Sequence, residues 1–307
     1  MFKNVAVYQL GAPWTSDLPE LEAAMDAARF IPCTGTQEKS VGFVEPRGQS
    51  HGPLVESING QRILKLKIST KTVPAAEIRK RAQEAADRIE AETGRKPGKK
   101  EMKSLQDEAK LSLLPDAFAK EAVVVVWHDP SSNLVVTDAV SQGKLDDVIT
   151  LMVRTFVGLA LTPLQTNIAP QTAMAQWLLA ASPDEWPQGV SVERECELRA
   201  SDESKSRVKF THHHLQNDDV RRHIKEGKLP TQLALSWDGR LEFVLTDSLQ
   251  LKKLSYLDGV FDNRGSQQGD DYDPFDADVS LATGELGKAL QGLFDALGGL
   301  ANSGQPA

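Results

Sequence analysis

Cysteine is scarce in this sequence, with only Cys33 and Cys196 in 307 residues. The two lie far apart and form no CxxC pair, so neither a disulfide framework nor a cysteine metal site is expected. No apolar run approaches the roughly 20 residues that span a bilayer. The N-terminus lacks the apolar core of a signal peptide and predicts a strand over residues 4–10. We therefore expect a cytoplasmic protein with no membrane segment.

The familiar sequence motifs of enzymes are also missing. The chain has no GxxxxGKS/T phosphate loop, no GxGxxG after a strand and no GxSxG nucleophile turn. Their absence argues against nucleotide hydrolysis, dinucleotide chemistry and the common acyl-transfer folds. We expect no enzymatic activity, no cofactor and no bound metal.

The charge is distributed unevenly along the chain. The formal net charge is −8, yet residues 62–103 hold 13 Lys and Arg against 6 Asp and Glu, a local net of +7. Residues 258–285 hold eight acidic residues and one arginine. Such asymmetry often marks one surface for a polyanion and another for solvent. Charge alone leaves open the alternative that the basic block is a solvated pair of helices.

A strand predicted over residues 61–71 has two different faces. Leu64, Leu66 and Ile68 alternate with lysines, so one face can be buried while the other presents Lys65, Lys67 and Lys71. A sheet with such a face could line a surface that phosphates approach. An ordinary amphipathic strand with solvated lysines is the alternative.

Residues 74–114 predict two helices joined by a short turn. Small and apolar residues recur at steps of three and four along both segments, and Gly94, Pro97 and Gly98 interrupt them. The apolar stripes are narrow, so we expect an antiparallel helical hairpin that protrudes. Around its turn lie five cations, Arg95, Lys96, Lys99, Lys100 and Lys103.

The rest of the chain mixes strands and helices without a regular βαβ alternation, which predicts an α+β fold. A helix carrying Arg221, Lys225 and Lys228 on one face is expected between two strands, and Asp238-Gly239 predicts a type I′ hairpin turn. Residues 32–53 are interpreted as a loop region and residues 181–203 as acidic sequence. The last helix is predicted over residues 283–297.

Two polar segments could suggest metal chemistry. Consecutive histidines at 212, 213 and 214 cannot all face one ion from a helix, so a polar loop capped by Asn217 is the favoured interpretation. The carboxylates of residues 270–278 could hold Mg²⁺ for phosphodiester cleavage, but their spacing fits no calcium loop. A solvated acidic segment is the favoured interpretation there.

Six segments resemble the bacterial RdgC family of recombination-associated proteins. They occur in the family's order and cover nearly the whole chain: FKNVAVYQL (2–10), FIPC (30–33), NGQ (59–61), SLLPDAF (112–118), KLPTQLALSW (228–237) and FDADVSLATGEL (275–286). The resemblance implies a horseshoe-shaped α+β subunit with mixed or antiparallel sheets. Two subunits would pair head-to-head and tail-to-tail into a ring that encircles duplex DNA and opposes RecA-driven strand exchange.

The resemblance also assigns roles to residues of this chain. The helical finger of the family, which is tied to DNA binding, matches residues 74–114. Phe118 matches an aromatic at one dimer contact, and residues 211–214 match a polar, usually basic segment at the other. Histidines stand in that segment here, so His212 and His213 are expected at the interface. We expect protonation of His212–His214 to weaken this contact below their ordinary pKa of about 6.5.

The expected DNA contacts are all cations from the basic block and from the later basic helix. They are Lys65, Lys67, Lys71, Arg79, Arg95, Lys96, Lys99, Lys100, Lys103, Arg221, Lys225 and Lys228.

The expected organisation has four parts. Residues 1–73 and 119–165 form a central part, 74–118 the finger and dimer motif, 166–300 a second α+β part, and 301–307 a disordered tail. The expected partners are double-stranded DNA, a second copy of the chain and, functionally, RecA, with the protein at the nucleoid. Two other functions stay open: a protein-interaction module that grips an acidic partner, and a metal-dependent nuclease built on residues 270–278.

Overall fold

A computed structural model of the chain describes residues 2–14, 17–257, 259–260 and 273–301. These residues form an α+β fold with two antiparallel sheets and seven α-helices, which confirms the predicted fold class. In chain order the elements are β1 (Ala6–Leu10), α1 (Leu18–Asp26), β2 (Lys39–Val44), β3 (Val55–Ile58), β4 (Gln61–Lys71), α2 (Ala75–Thr93), α3 (Lys99–Leu113), β5 (Ala119–Asp129), β6 (Leu134–Thr137), α4 (Gln142–Thr155), β7 (Leu161–Pro163), α5 (Pro170–Leu179), β8 (Val190–Ala200), β9 (Arg207–Thr211), α6 (Asp218–Lys225), β10 (Lys228–Trp237), β11 (Leu241–Thr246), β12 (Leu251–Tyr256) and α7 (Pro274–Ala296). No helix among the described residues is both long enough and apolar enough to cross a membrane.

The chain divides into two compact units. Unit 1 comprises Met1–Asp17, Val55–Ile63 and Val125–Ala307, and unit 2 comprises Leu18–Leu54 and Leu64–Val124. The seven-stranded sheet has the order β2-β4-β5-β6-β1-β7, with β3 beside β4, and the five-stranded sheet has the order β12-β11-β10-β8-β9. The predicted division into central part, finger and second part stays a prediction.

The core of unit 1 lies under the long C-terminal helix. On α7 the side chains of Val279, Leu286, Leu290, Leu293 and Phe294 are buried, at steps of three, four and seven that place them on one face. The helix begins at Pro274 rather than at the predicted residue 283. The Asp273 carboxylate accepts the Phe275 N–H at 2.8 Å, and proline suits the first helical position. The acidic first turns hid this start, although they suit the positive end of the helix dipole.

The predicted turn at Asp238-Gly239 is confirmed. Both residues have positive φ, 47° and 63°, as a type I′ turn between β10 and β11 requires. Just before it, the Trp237 ring lies against two glycines: a Cβ on Gly292 would be 1.9 Å from the ring, and one on Gly189 would be 3.1 Å away. Only glycine therefore fits at position 292 unless the indole moves.

Two segments in which no strand was predicted contain strands. The expected loop over residues 32–53 includes β2, which pairs antiparallel with β4, and the acidic stretch includes β8. In β8 the residues Val190, Cys196 and Leu198 are buried, while the glutamates on the opposite face are half-buried. The period of two was present in the sequence, but the glutamates masked it. Burial raises the pKa of the Cys196 thiol to about 12, and both cysteines are free thiols.

His128 is a polar side chain inside the core of unit 1. It is 1% exposed, its ring lies 5.0 Å from that of Trp14, and neither ring nitrogen has a hydrogen-bond partner among the described residues. Burial, with a smaller contribution from the Arg62 charge, lowers the pKa of His128 to about 4. The folded protein therefore holds this imidazole neutral at pH values where an exposed histidine is protonated.

This difference predicts acid sensitivity. Between pH 6.5 and 4 the unfolded chain binds a proton at His128 that the folded protein does not, so the free energy of unfolding falls as the pH falls. We expect His128 to account for about 2 kcal/mol of the loss between pH 7 and pH 5, measured by urea unfolding. His128→Phe removes this part of the loss, whereas replacing the exposed His214 by Gln leaves it in place. An equal loss in wild type and His128→Phe would contradict the assignment.

Candidate nucleic-acid interface

The predicted helical hairpin is confirmed in unit 2. The fully buried side chains of α2 and α3 are alanines alone, Ala82, Ala86 and Ala109, and the two helices contact each other. Gly94 ends α2 in the left-handed conformation with φ 70°, and its N–H donates to the Glu90 carbonyl at 2.8 Å. Because the contact uses such small side chains, most of the surface of both helices is available to other molecules.

The five cations around the turn divide into two groups. Arg95 lies 3.0 Å from the Glu101 carboxylate, and Lys96 lies 3.8 Å from that of Glu90. In contrast, no ion pair between described residues includes the other three, which we call the turn lysines: Lys99, Lys100 and Lys103. All three are exposed.

The position of the turn lysines is unfavourable for the hairpin itself. Lys99 and Lys100 stand in the first turn of α3, where the helix dipole is positive and cations are disfavoured. Lys99 and Lys103 are one helical turn apart and therefore lie on the same side of α3. Cations that do not stabilise their own helix and stand beside free N–H groups can bind an anion such as phosphate.

The alternation predicted for residues 61–71 is confirmed in β4, but its lysines have partners within unit 2. Lys67 contacts the Glu121 carboxylate at 2.7 Å and lies 5.1 Å from the centre of the Phe30 ring. Lys65 donates to the Pro46 carbonyl, and Lys71 donates to the Pro115 carbonyl at 3.3 Å.

Burial lowers the pKa of Lys65, as expected for an ammonium partly withdrawn from water. We call Lys65, Lys67 and Lys71 the strand lysines. Each would have to exchange an intramolecular partner before it could contact a phosphate, so their predicted DNA contact stays a prediction.

The second basic group, in unit 1, is arranged differently from the prediction. Helix α6 ends at Lys225, and Lys228 is the first residue of β10, so the expected helical face holds only for Arg221 and Lys225. Arg221 donates to the Ala180 carbonyl at 2.9 Å, and Lys228 lies 3.1 Å from His223 Nδ1. The tight Glu226-Gly227 turn after α6 explains the early end of the helix, since Gly227 has φ 92°. Of the three, Lys225 alone is fully exposed.

The histidine segment forms a polar loop, and the predicted cap is confirmed. The Asn217 side chain accepts the Val220 N–H at 2.9 Å at the start of α6. His213 Nδ1 donates to the His214 carbonyl at 2.9 Å, and His212 is exposed with φ 54°. Within the described residues no group of three or more His, Cys, Asp or Glu side chains is placed to hold a metal ion.

Phe118 lies beside an apolar groove in unit 2. Its side chain is 96% exposed, and the groove of about 270 Å³ is lined by Val73, Pro74, Leu113 and Ala117. The exposed ring and the apolar groove beside it form a continuous apolar surface, so the predicted dimer contact at Phe118 stays a prediction. The groove beside Phe118 is apolar enough to receive another aromatic ring.

The acidic stretch that could have held Mg²⁺ is only partly described. Residues 270–272 lie outside the described residues, and Asp273 is used as the N-cap of α7. Asp276 stands in the first turn of that helix. The capping role gives Asp273 a structural function.

Comparison with known proteins gives consistent matches over nearly the whole chain. Residues 1–300 match the family model described as "Putative exonuclease, RdgC". The chain belongs to the RdgC family. It is 41% identical over 298 residues to the recombination-associated protein RdgC of Janthinobacterium sp. (strain Marseille), covering 97% of this chain and 98% of the relative. The RdgC proteins of Herminiimonas arsenicoxydans and Bordetella pertussis are 40% and 38% identical with the same coverage.

These comparisons confirm the resemblance and associate the family with recombination. The two descriptions differ on activity, since the family model is named for an exonuclease and the curated relatives are not. The absence of enzymatic activity therefore stays a prediction.

The sequence interpretation missed further exposed cations on α2. Lys80 and Arg81 follow the expected contact Arg79, are exposed, and belong to no ion pair between described residues. All three adjacent cations lie within the +7 block, so the signal was the local charge rather than any motif. They extend the cationic surface of the hairpin away from its turn.

The pairing of cations predicts different results for the two lysine groups. Replacing the turn lysines by Gln should weaken duplex binding by about tenfold or more and reduce the slope of log K against log salt by about 2.7, or 0.9 per lost phosphate contact. Replacing the strand lysines should chiefly lower the free energy of unfolding. Fluorescence anisotropy over a salt series measures the first effect and urea unfolding the second.

A triple variant of Lys3, Lys144 and Lys205, which are exposed and outside the predicted contacts, serves as the charge-matched control. The same loss of affinity in this control as in the turn-lysine variant would contradict a localised interface.

Proposed function

We propose that this protein binds double-stranded DNA through backbone phosphates, without sequence preference, as a ring-shaped dimer that limits RecA-mediated recombination. The observation that supports it most is the exposed group of turn lysines in a protein whose net charge is −8. Contacts with phosphates carry no sequence information directly. A protein that holds duplex DNA in this way restricts the access of strand-exchange filaments to that DNA.

The ring is supported by two separate features of the chain. Phe118 and its groove in unit 2 would form one contact, with each Phe118 entering the groove of the other copy across a two-fold axis. His212 and His213 would form the second contact. Two contacts of this kind close a pair of horseshoe-shaped subunits, with cations on the inner surface and acidic residues outside. Such a protein works at the nucleoid in the cytoplasm.

The alternative function is a protein-interaction module in which the hairpin binds an acidic partner protein. The free cations of α2 and α3 could bind either duplex DNA or an acidic protein surface. Phosphodiester cleavage is a third candidate function, because the family model is described as an exonuclease. Charge reversal at Lys99 and Lys100 abolishes duplex binding if DNA is the ligand. Supercoiled plasmid incubated with protein and Mg²⁺ stays intact if the protein is not a nuclease.

Encirclement predicts that the shape of the DNA controls the lifetime of the complex. A ring on a closed circle cannot leave by sliding off an end, whereas one on a linear duplex can. We expect complexes with a relaxed closed plasmid to survive a high-salt challenge that strips the same plasmid after linearisation, measured by filter retention over time. Because sequence and length are identical, equal lifetimes would exclude a closed ring.

The proposed contact at Phe118 predicts a weaker dimer without loss of subunit stability. Burying one phenylalanine contributes about 1.5–3 kcal/mol, and a two-fold contact contains two of them. Phe118→Ala should raise the dimer dissociation constant roughly a hundredfold or more, measured by sedimentation equilibrium. Thermal unfolding of the subunit should not change, because the side chain is exposed. Val157→Ala, at another fully exposed apolar residue, serves as the control.

A further inference from the structure

An open cavity of about 430 Å³ lies within unit 1. The loop before β8, the β10–β11 turn and the end of α7 meet there and contribute Pro187, Trp237, Asp238, Asp295 and Ala296 to its lining. None of these residues belongs to the predicted DNA contacts or to the predicted dimer contacts. We call this space the β10–α7 cavity.

The aromatic wall of the β10–α7 cavity is held in place. The Trp237 ring packs between Gly189 and Gly292, where a Cβ would approach it to 3.1 Å and 1.9 Å. Gly292 lies inside α7, four residues before its end, and a glycine within a helix costs up to about 1 kcal/mol relative to alanine. The close approach of the indole accounts for that cost, and the ring is a rigid surface.

The two carboxylates of the cavity are not neutralised by an ion pair with any of the described cations. No ion pair between described residues includes Asp238 or Asp295. The nearest cation in sequence is Arg240, which is bound by Glu285 at 2.5 Å. That hydrogen bond is the main cause of the raised pKa of Arg240, and Asp238 contributes least.

Backbone contacts and the helix dipole add to the negative potential of the cavity. The Asp238 N–H donates to the Gly189 carbonyl at 2.9 Å, which fixes the turn that carries the carboxylate. Asp295 stands in the last turn of α7, which contains no basic residue, so nothing on the helix offsets the negative end of its dipole. An acidic residue at this end is unfavourable unless a cation is supplied from outside.

We propose that the β10–α7 cavity binds an organic cation, an ammonium group carried on an alkyl chain. The carboxylates and the negative end of the helix dipole bind the charge. The apolar walls at Pro187, Trp237 and Ala296 accommodate the methylenes, which a hydrated metal ion would lack. The ammonium comes from a free polyamine or from a lysine side chain of a partner protein. This site is independent of DNA binding.

Spermidine is the probe for the free cation, titrated into the purified protein by isothermal calorimetry at low salt. We expect one site per chain, with affinity lowered about tenfold in the variant Asp238→Asn/Asp295→Asn. The control is Asp146→Asn, because Asp146 on α4 accepts from Gln142 at 2.7 Å in the same i, i+4 geometry as Asp295 with Gln291 at 3.0 Å. The control variant should bind spermidine as wild type does.

A second titration uses a peptide with one lysine among uncharged residues. If spermidine binds and only the double variant loses affinity, the cavity is a polyamine site. If the peptide alone binds and shows the same loss in the double variant, the ligand is a lysine side chain of a partner protein. Equal affinity in the wild type and in the double variant would overturn the proposal, as would the absence of binding by both probes. Thermal unfolding of each variant checks that the fold is retained.

Discussion

The close contact of two helices through alanine is the constraint on which the cationic surface of this protein depends. Ala82, Ala86 and Ala109 are the buried side chains of α2 and α3, and they fill little space. A contact made of larger side chains would cover more of each helix. Because the fully buried positions are few and small, many others on both helices are exposed, and a chain with net charge −8 can concentrate cations there.

The pairing of charges decides which of these cations are free. On β4 every predicted contact has a partner within unit 2, including the Lys67–Glu121 pair at 2.7 Å. Around the hairpin turn, glutamates engage Arg95 and Lys96 but leave the three turn lysines. The exposed ion pairs at the turn contribute little to stability, so there the arrangement matters more for what each ammonium can contact than for the fold.

Much of the fold could be predicted from local patterns. The hairpin, the alternation of β4, the Asp238-Gly239 turn and the Asn217 cap each depend on residues close in sequence, and all are confirmed. The RdgC resemblance supplied what local patterns could not, the functional class of the chain. Strand β8 was missed because glutamates occupy one of its two faces, and the start of α7 because acidic residues hid its apolar stripe.

The candidate site was predictable only in part. Local charge located the cations correctly, but the sequence could not show that Glu121 lies at 2.7 Å from Lys67, since 54 residues separate them. Lys228 was assigned to the wrong element because three residues beyond Lys225 fits a helical step as well as a strand start. Whether a cation is free depends on such distant neighbours, which one sequence does not reveal.

The interrupted path of the chain through unit 1 has a consequence for how the protein is made. Val5, just before β1, and Leu251 in β12 each donate a backbone N–H to the carbonyl of the other, at 2.7 and 2.9 Å. Thr166 and Leu300 form an isolated antiparallel β-bridge. Contacts between positions so far apart in sequence slow folding, because a long loop must close before they form. On the ribosome, unit 1 remains incomplete until almost the whole polypeptide has emerged, whereas the α2–α3 hairpin can form as soon as its own residues are free.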